Sequence, residues 1–157
     1  MHFALIFDTK EELDEAAALL NARKGAAHPV SNDGQAALAG KLEAALAMSP
    51  LNQQRATVLK AWLAAPASEW VPFPAVVKAF VDGGVAPEES ANGRASAAIR
   101  DLSWQVAQTL SQSELAGFDK AIEALASRSR AAGAYSYRLT PAGRIATERF
   151  LKGAEIA

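Results

Sequence analysis

Residues Tyr135 to Arg144, Tyr-Ser-Tyr-Arg-Leu-Thr-Pro-Ala-Gly-Arg, constrain the fold more than any other stretch of the chain. From Tyr135 to Leu139 two aromatics and a leucine alternate with polar residues, the period-2 pattern of a half-buried strand. Thr140-Pro141 then reads as a helix start. The threonine oxygen can accept from a first-turn amide, and proline at the first helical position loses no hydrogen bond. A strand therefore runs directly into a capped helix.

At 157 residues the chain is long enough to bury a real core. Half of it is hydrophobic and 21% is charged, the balance of a soluble globular protein. Alanine supplies nearly a quarter of the residues, which raises helix propensity throughout and blurs periodic patterns. No apolar run reaches the length of about 18 residues that suggests a transmembrane helix, so no membrane role is expected. The N-terminus lacks the basic region and cleavage site of a signal peptide, and with no cysteine there is neither disulfide nor thiolate site. Cytoplasmic residence is the expectation.

Charge is distributed unevenly behind the net value of −1. Residues 1–93 carry seven Lys/Arg against eleven Asp/Glu, whereas residues 94–157 carry nine against six. A basic C-terminal part is suited to attracting phosphates.

Along the chain, Phe3 to Phe7 reads as a strand and Thr9-Lys-Glu-Glu12 as a capping box opening a helix over about 10–24. Arg23-Lys24-Gly25 closes it, with basic residues and a glycine at the helix C-terminus. A second helix over about 35–48 carries Leu38, Leu42 and Leu46 as an i, i+4 stripe. Ser49-Pro50 opens a third, with Leu51, Val58, Leu59, Trp62 and Leu63 on its apolar face. Trp70 to Phe73 is a short extended segment that its prolines confine to a sheet edge. Pro74 starts a helix closed by Gly83-Gly84. After a turn at Ala86 to Ser90, a long helix over about 92–110 places Ile99, Leu102, Val106 and Leu110 on one side.

From residue 50 the order is therefore helix, short strand, helix, turn, helix, and finally strand and helix. Tyr137-Arg-Leu-Thr-Pro-Ala-Gly143 resembles the Tyr-x-Leu-Thr-x-x-Gly of the last wing strand and final helix in winged-helix DNA-binding domains. Arg94, Ile99, Arg100 and Leu102 are similar to the Arg-x-x-x-x-Ile-Arg-x-Leu pattern of their recognition helix. The resemblance covers roughly 50–152. It implies a mainly α (α+β) winged-helix domain over 49–157, preceded by a strand–helix–helix extension over 1–48.

One stretch departs from that pattern. Between recognition helix and wing, Leu115, Phe118, Ile122 and Leu125 recur at three- and four-residue steps, a helical stripe. Either an extra helix near 113–130 replaces the wing, or its first strand is very short, around 131–134. That helix or the 1–48 extension is a candidate face for a homodimer; packing within the domain is the alternative for the helix.

The resemblance implies that Ser90, Asn92, Arg94, Ser96 and Arg100 face double-stranded DNA, since a helix in the major groove reads bases from its N-terminal part. Arginine can be bidentate to guanine and asparagine to adenine. The alternative is a solvated helix start, with Arg100 paired to Asp101 or another acid. Arg128, Arg130, Arg138 and Arg144 flank the final strand and suit phosphate contact, or serve as solubilising charges. Tyr135 and Tyr137 suit core and sheet packing.

Enzymatic chemistry has little support. Gly34-Gln-Ala-Ala-Leu-Ala-Gly-Lys-Leu42 misses the P-loop spacing by one residue and ends in leucine where Ser/Thr would hold magnesium. His2 and His28 are the only histidines, so no zinc site, other metal or cofactor is expected. Glu11, Glu12, Asp14 and Glu15 read as helix-dipole complements. The expectation is a non-enzymatic DNA-binding protein, a small bacterial or phage-type transcriptional regulator. The alternative is a protein–protein interaction module on the same scaffold.

Overall fold

The computed structural model describes residues 32–131 and 133–156. The expected strand at 3–7, the helix at 10–24, both histidines and the early acidic cluster lie outside the described residues. In chain order the elements are α1 (Asn32–Leu46), α2 (Gln53–Ala64), β1 (Val71–Pro72), α3 (Phe73–Asp82) and α4 (Glu88–Thr109). There follow the single-turn α5 (Gln112–Leu115), a 3-10 turn (Ala121–Ala124), β2 (Ala126–Ala131), β3 (Ala134–Leu139) and α6 (Pro141–Ile156). The fold is mainly helical α+β, with a three-stranded antiparallel sheet in the order β1-β3-β2 among the described residues.

α1 absorbs the glycine-lysine segment at 34–42 into helix. Its Ala39, Leu42, Ala45 and Leu46 recur at helical spacing and are buried against α6 and α4. The start of α2 differs from the sequence expectation. Asn52, not Ser49, is the cap: its side chain accepts from the Arg55 amide at 2.8 Å. Serine and asparagine cap about equally well, and Ser49 is engaged elsewhere, accepting from Gln105 Nε2 of α4 at 2.8 Å. α4 begins at Glu88, so part of the expected turn at 86–90 is already helical.

The core gathers Val58, Leu59 and Trp62 of α2, Val76 and Phe80 of α3, and Ile99, Leu102 and Val106 of α4. Tyr137 and Leu139 of β3 join it, Tyr137 stacking on Trp62 with centroids 5.1 Å apart. Burying each large apolar side chain contributes roughly 1.5–3 kcal/mol, which is why α4 is held along one side for most of its length.

The extra helix expected near 113–130 is not formed. The Ser111–Glu114 capping box starts only one turn, and Gly117 at φ 97° takes the chain out of helix. Ile122 and Leu125 still point into the core, but from the 3-10 turn and the residue after it. β2 then runs six residues, in place of the very short strand expected at 131–134. Its Ser-Arg-Ser-Arg alternation pairs with β3 from Ala126↔Leu139 to Ala131↔Ala134, and Gly133 at φ 80° lies in the turn.

At the junction of β3 and α6, Thr140 bridges two elements. Its amide donates to Leu125 O at 3.0 Å, its hydroxyl donates to Ala124 O at 3.0 Å, and the same oxygen accepts from the Gly143 amide at 2.9 Å. A Cβ on Gly143 would stand 1.9 Å from Leu125 O. Glycine there lets the first turn of α6 close directly on the backbone leading into β2.

Candidate functional site

Ala91, Ala95, Ala98, Ile99, Leu102, Gln105 and Val106 bury one side of α4, which turns the opposite side outward. At 3.6 residues per turn, Asn92, Ser96, Arg100 and Trp104 form an i, i+4 ridge down that outer side. All four are exposed. Arg94 and Asp101, also exposed, stand on one flank, about 100–120° round the helix from Arg100. Among the described residues neither Arg94 nor Arg100 forms a salt bridge, so the pairing of Arg100 with Asp101 is not realised. Ser90 is half-buried, its hydroxyl directed at Pro87 O at 3.4 Å. Glu88 and Glu89 complement the helix dipole at this end and would repel a phosphate there, so any anion must meet α4 further along.

The sheet arginines are placed differently. Cross-strand register puts Arg128 and Arg130 on the face that carries Tyr135 and Tyr137. Arg128 lies 4.5 Å from the Tyr135 ring centroid, 3.5 Å from Asp119 and 3.6 Å from Glu123. Burial pushes the Tyr137 hydroxyl above the usual phenol value, while the neighbouring Arg128 pulls it the other way. Arg130, nearer the turn, lies 5.4 Å from the same Tyr135 ring and is exposed. Arg138 projects from the opposite face, over Trp70 at 4.3 Å, and donates to Ser68 O at 3.3 Å. Arg144 donates to Leu63 O at 3.3 Å and Ala65 O at 2.8 Å, tying α6 to the end of α2.

The nine residues singled out in the sequence thus divide. Asn92, Arg94, Ser96 and Arg100 share the outer part of α4, with Ser90 turned partly inward; Arg130 projects near the hairpin turn. Arg128, Arg138 and Arg144 have their guanidinium groups engaged within the fold.

Trp104 is the residue that sequence reasoning missed. It falls outside the Ile99, Leu102, Val106 stripe, and that mismatch was the available signal: a tryptophan off the apolar face of a helix is a tryptophan in water. It is 59% exposed.

A concavity of about 870 Å³ lies between α1, α6 and the sheet, lined by apolar side chains that include Leu38, Leu139 and Ile145. Its two guanidinium groups are those of Arg138 and Arg144, already bound to main-chain carbonyls. Comparison with protein-family models, with curated proteins and with solved structures gives no match.

Proposed function

We propose that residues 50–152 form a winged-helix domain that binds double-stranded DNA, with α4 entering the major groove and the β2–β3 hairpin as the wing. The observation that carries this reading is the ridge of α4. Asn92, Ser96 and Arg100 stand exposed on a helix whose other side is locked into the core, so their approach to a groove is preset by the fold. A major groove about 12 Å wide admits such a helix. Element order supports the fold part: helix, edge strand, two helices, a single-turn helix and a 3-10 turn, then a hairpin whose second strand, β3, lies between β1 and β2. Arg94 on the flank and Arg130 near the hairpin turn supply cations for phosphate, and Arg100 and Asn92 supply bidentate groups for base edges. A small transcriptional regulator would use the arrangement in this way.

Fluorescence anisotropy with labelled duplexes over a salt series tests the reading. Binding should weaken steeply as salt rises. Arg100→Ala should remove about 1–3 kcal/mol and relax sequence preference, whereas Arg94→Ala should weaken all duplexes alike and flatten the salt dependence. A folded protein whose duplex binding is absent or insensitive to salt refutes it. Trp104 favours a second reading, a protein-facing use of the same helix. Under that reading Trp104→Ala abolishes partner binding and both arginine variants leave duplexes unaffected.

A further inference from the structure

The concavity of about 870 Å³ lies where the described chain begins. Gly34, Gln35, Ala37 and Leu38, from the first two turns of α1, form part of its wall, so the chain preceding Asn32 enters at its rim. Phe118, Leu139 and Ile145 add apolar lining. Ser127 and Arg138, paired in register, come from the sheet face opposite Tyr137, so the concavity covers the side of the sheet that Trp62 of α2 does not. Upstream, Phe3-Ala-Leu-Ile-Phe7 is apolar at five consecutive positions. Successive side chains of an extended segment point to opposite faces, so a run apolar at every position needs cover on both. A recess walled by helices and floored by a sheet offers that cover. Chain length permits the return. The helix expected over 10–24 would span about 22 Å, and residues 25–31 reach at most about 24 Å. A helix running back toward the rim therefore brings Phe7 close to Asn32. Charge agrees as well. Residues 1–31 carry three Lys/Arg against five Asp/Glu, and Asp8 closes the apolar run. Arg138, on the wall, donates one side-chain bond among the described residues, to Ser68 O, which leaves N–H groups for a carboxylate.

We propose that the concavity is a docking groove for residues 3–7 of the same chain, which seat as an extended segment against Leu38, Phe118, Leu139 and Ile145, with Asp8 at Arg138. The tether favours this occupant over any outside partner, because a segment linked to the rim meets the groove at an effective concentration on the order of millimolar. The 1–48 extension is then packed on its own domain and is not a dimerisation arm. This inference does not rest on the DNA reading and is measured with no nucleic acid present.

The chain has no cysteine, so a single introduced thiol reports alone. Ala4→Cys and Leu5→Cys sample the two faces of the run, and Gly153→Cys, on the exposed side of α6, is the open control. Reaction with an aromatic disulfide reagent is timed in the full-length folded protein and again in urea, which corrects for each thiol's own reactivity. Ala4→Cys and Leu5→Cys should react roughly a hundredfold slower folded than unfolded, and Gly153→Cys at nearly equal rates. Adding Leu38→Asp/Ile145→Asp, both half-buried groove residues, should bring the two protected thiols within roughly threefold of their unfolded rates while circular-dichroism melting stays cooperative. The milder Leu38→Ser should give an intermediate rate, and it decides the matter if the aspartates unfold the domain. Rapid reaction of both thiols in the folded protein overturns the proposal. So does protection that survives the groove substitutions, which would place the run elsewhere. Protection that rises with protein concentration, in step with the mass seen by sedimentation velocity, would assign the groove to a second copy's segment and overturn it as well.

Discussion

Gly143→Ala should destabilise this protein, against the usual gain of replacing a helical glycine. The added Cβ would stand 1.9 Å from Leu125 O, 2.9 Å from Leu125 C and 2.8 Å from Thr140 Oγ1. Carbon and oxygen approach no closer than about 3.3 Å without strain, so the first turn of α6 must retreat by more than about 1 Å. Retreat stretches the bonds that hold the junction: Thr140 N to Leu125 O at 3.0 Å and Thr140 Oγ1 to Ala124 O at 3.0 Å. Overpacking costs about 1–3 kcal/mol and each weakened bond about 0.5–1.5 kcal/mol. The better helix propensity of alanine returns about 1 kcal/mol at most. The net expectation is a loss of about 2–4 kcal/mol, a melting temperature lower by roughly 4–16 °C for a chain of this size. Urea unfolding followed by far-UV circular dichroism measures it. Gly153→Ala in the same helix is the control: nothing stands within 4 Å of its Cβ, and it should stabilise by up to about 1 kcal/mol. If Gly143→Ala is as stable as the wild type, or gains as Gly153→Ala does, the close approach of α6 to Leu125 is not a constraint and the reasoning fails.

Arg144→Ala should lower stability by about 1–3 kcal/mol, because it leaves the Leu63 and Ala65 carbonyls at the end of α2 without their donor. Duplex affinity should be unchanged; weaker binding with full stability would instead make Arg144 a phosphate contact. Acid titration offers another check. A hydrogen bond from Lys41, and then the Ser111 amide, lower the Glu114 carboxyl from 4.5 to about 2. A carboxylate whose value is lower in the folded state stabilises above its unfolded value and loses that contribution as pH falls through the folded one. Glu114→Gln should therefore flatten the decline in stability between about pH 4.5 and 2, by less than about 1 kcal/mol for an exposed pair. An identical pH profile in the two proteins would show that the Lys41 contact does not persist in solution.

Local signals were most legible where one residue type serves one backbone need. Thr140-Pro141 marked the start of α6, Gly83-Gly84 the end of α3, and the alternation from Tyr135 to Leu139 marked β3. The misreading at 113–130 has an identifiable cause. Leu115, Phe118, Ile122 and Leu125 share a helical period because all four pack toward one core, but they do so from a single turn, an irregular segment and a 3-10 turn. The Ser-Arg alternation of β2 was visible at 127–130 yet carries no apolar residue, since this end of the sheet is faced by arginines lying along Tyr135. Periodicity reports which side faces the core and does not report the element that brings it there.

The arginines show the same division. A sequence states that Arg128, Arg138 and Arg144 are cations near one strand. It cannot state that the first would find Asp119 and Glu123, the second Trp70, and the third the carbonyls ending α2, because those partners lie 5 to 81 positions away in the chain. What the sequence by itself determined was local: the Thr140-Pro141 start of α6, the glycine stop after α3, the buried side of α4, and the strand that runs into α6. Backbone hydrogen bonding and helical period act over a few residues and are written in the order of the side chains. The tertiary structure alone decided that Gly143 must have no side chain, that Ser49 serves Gln105 rather than capping α2, and that Arg128, Arg138 and Arg144 turn back onto the fold. Those outcomes depend on which surfaces meet when separate elements compete for one core.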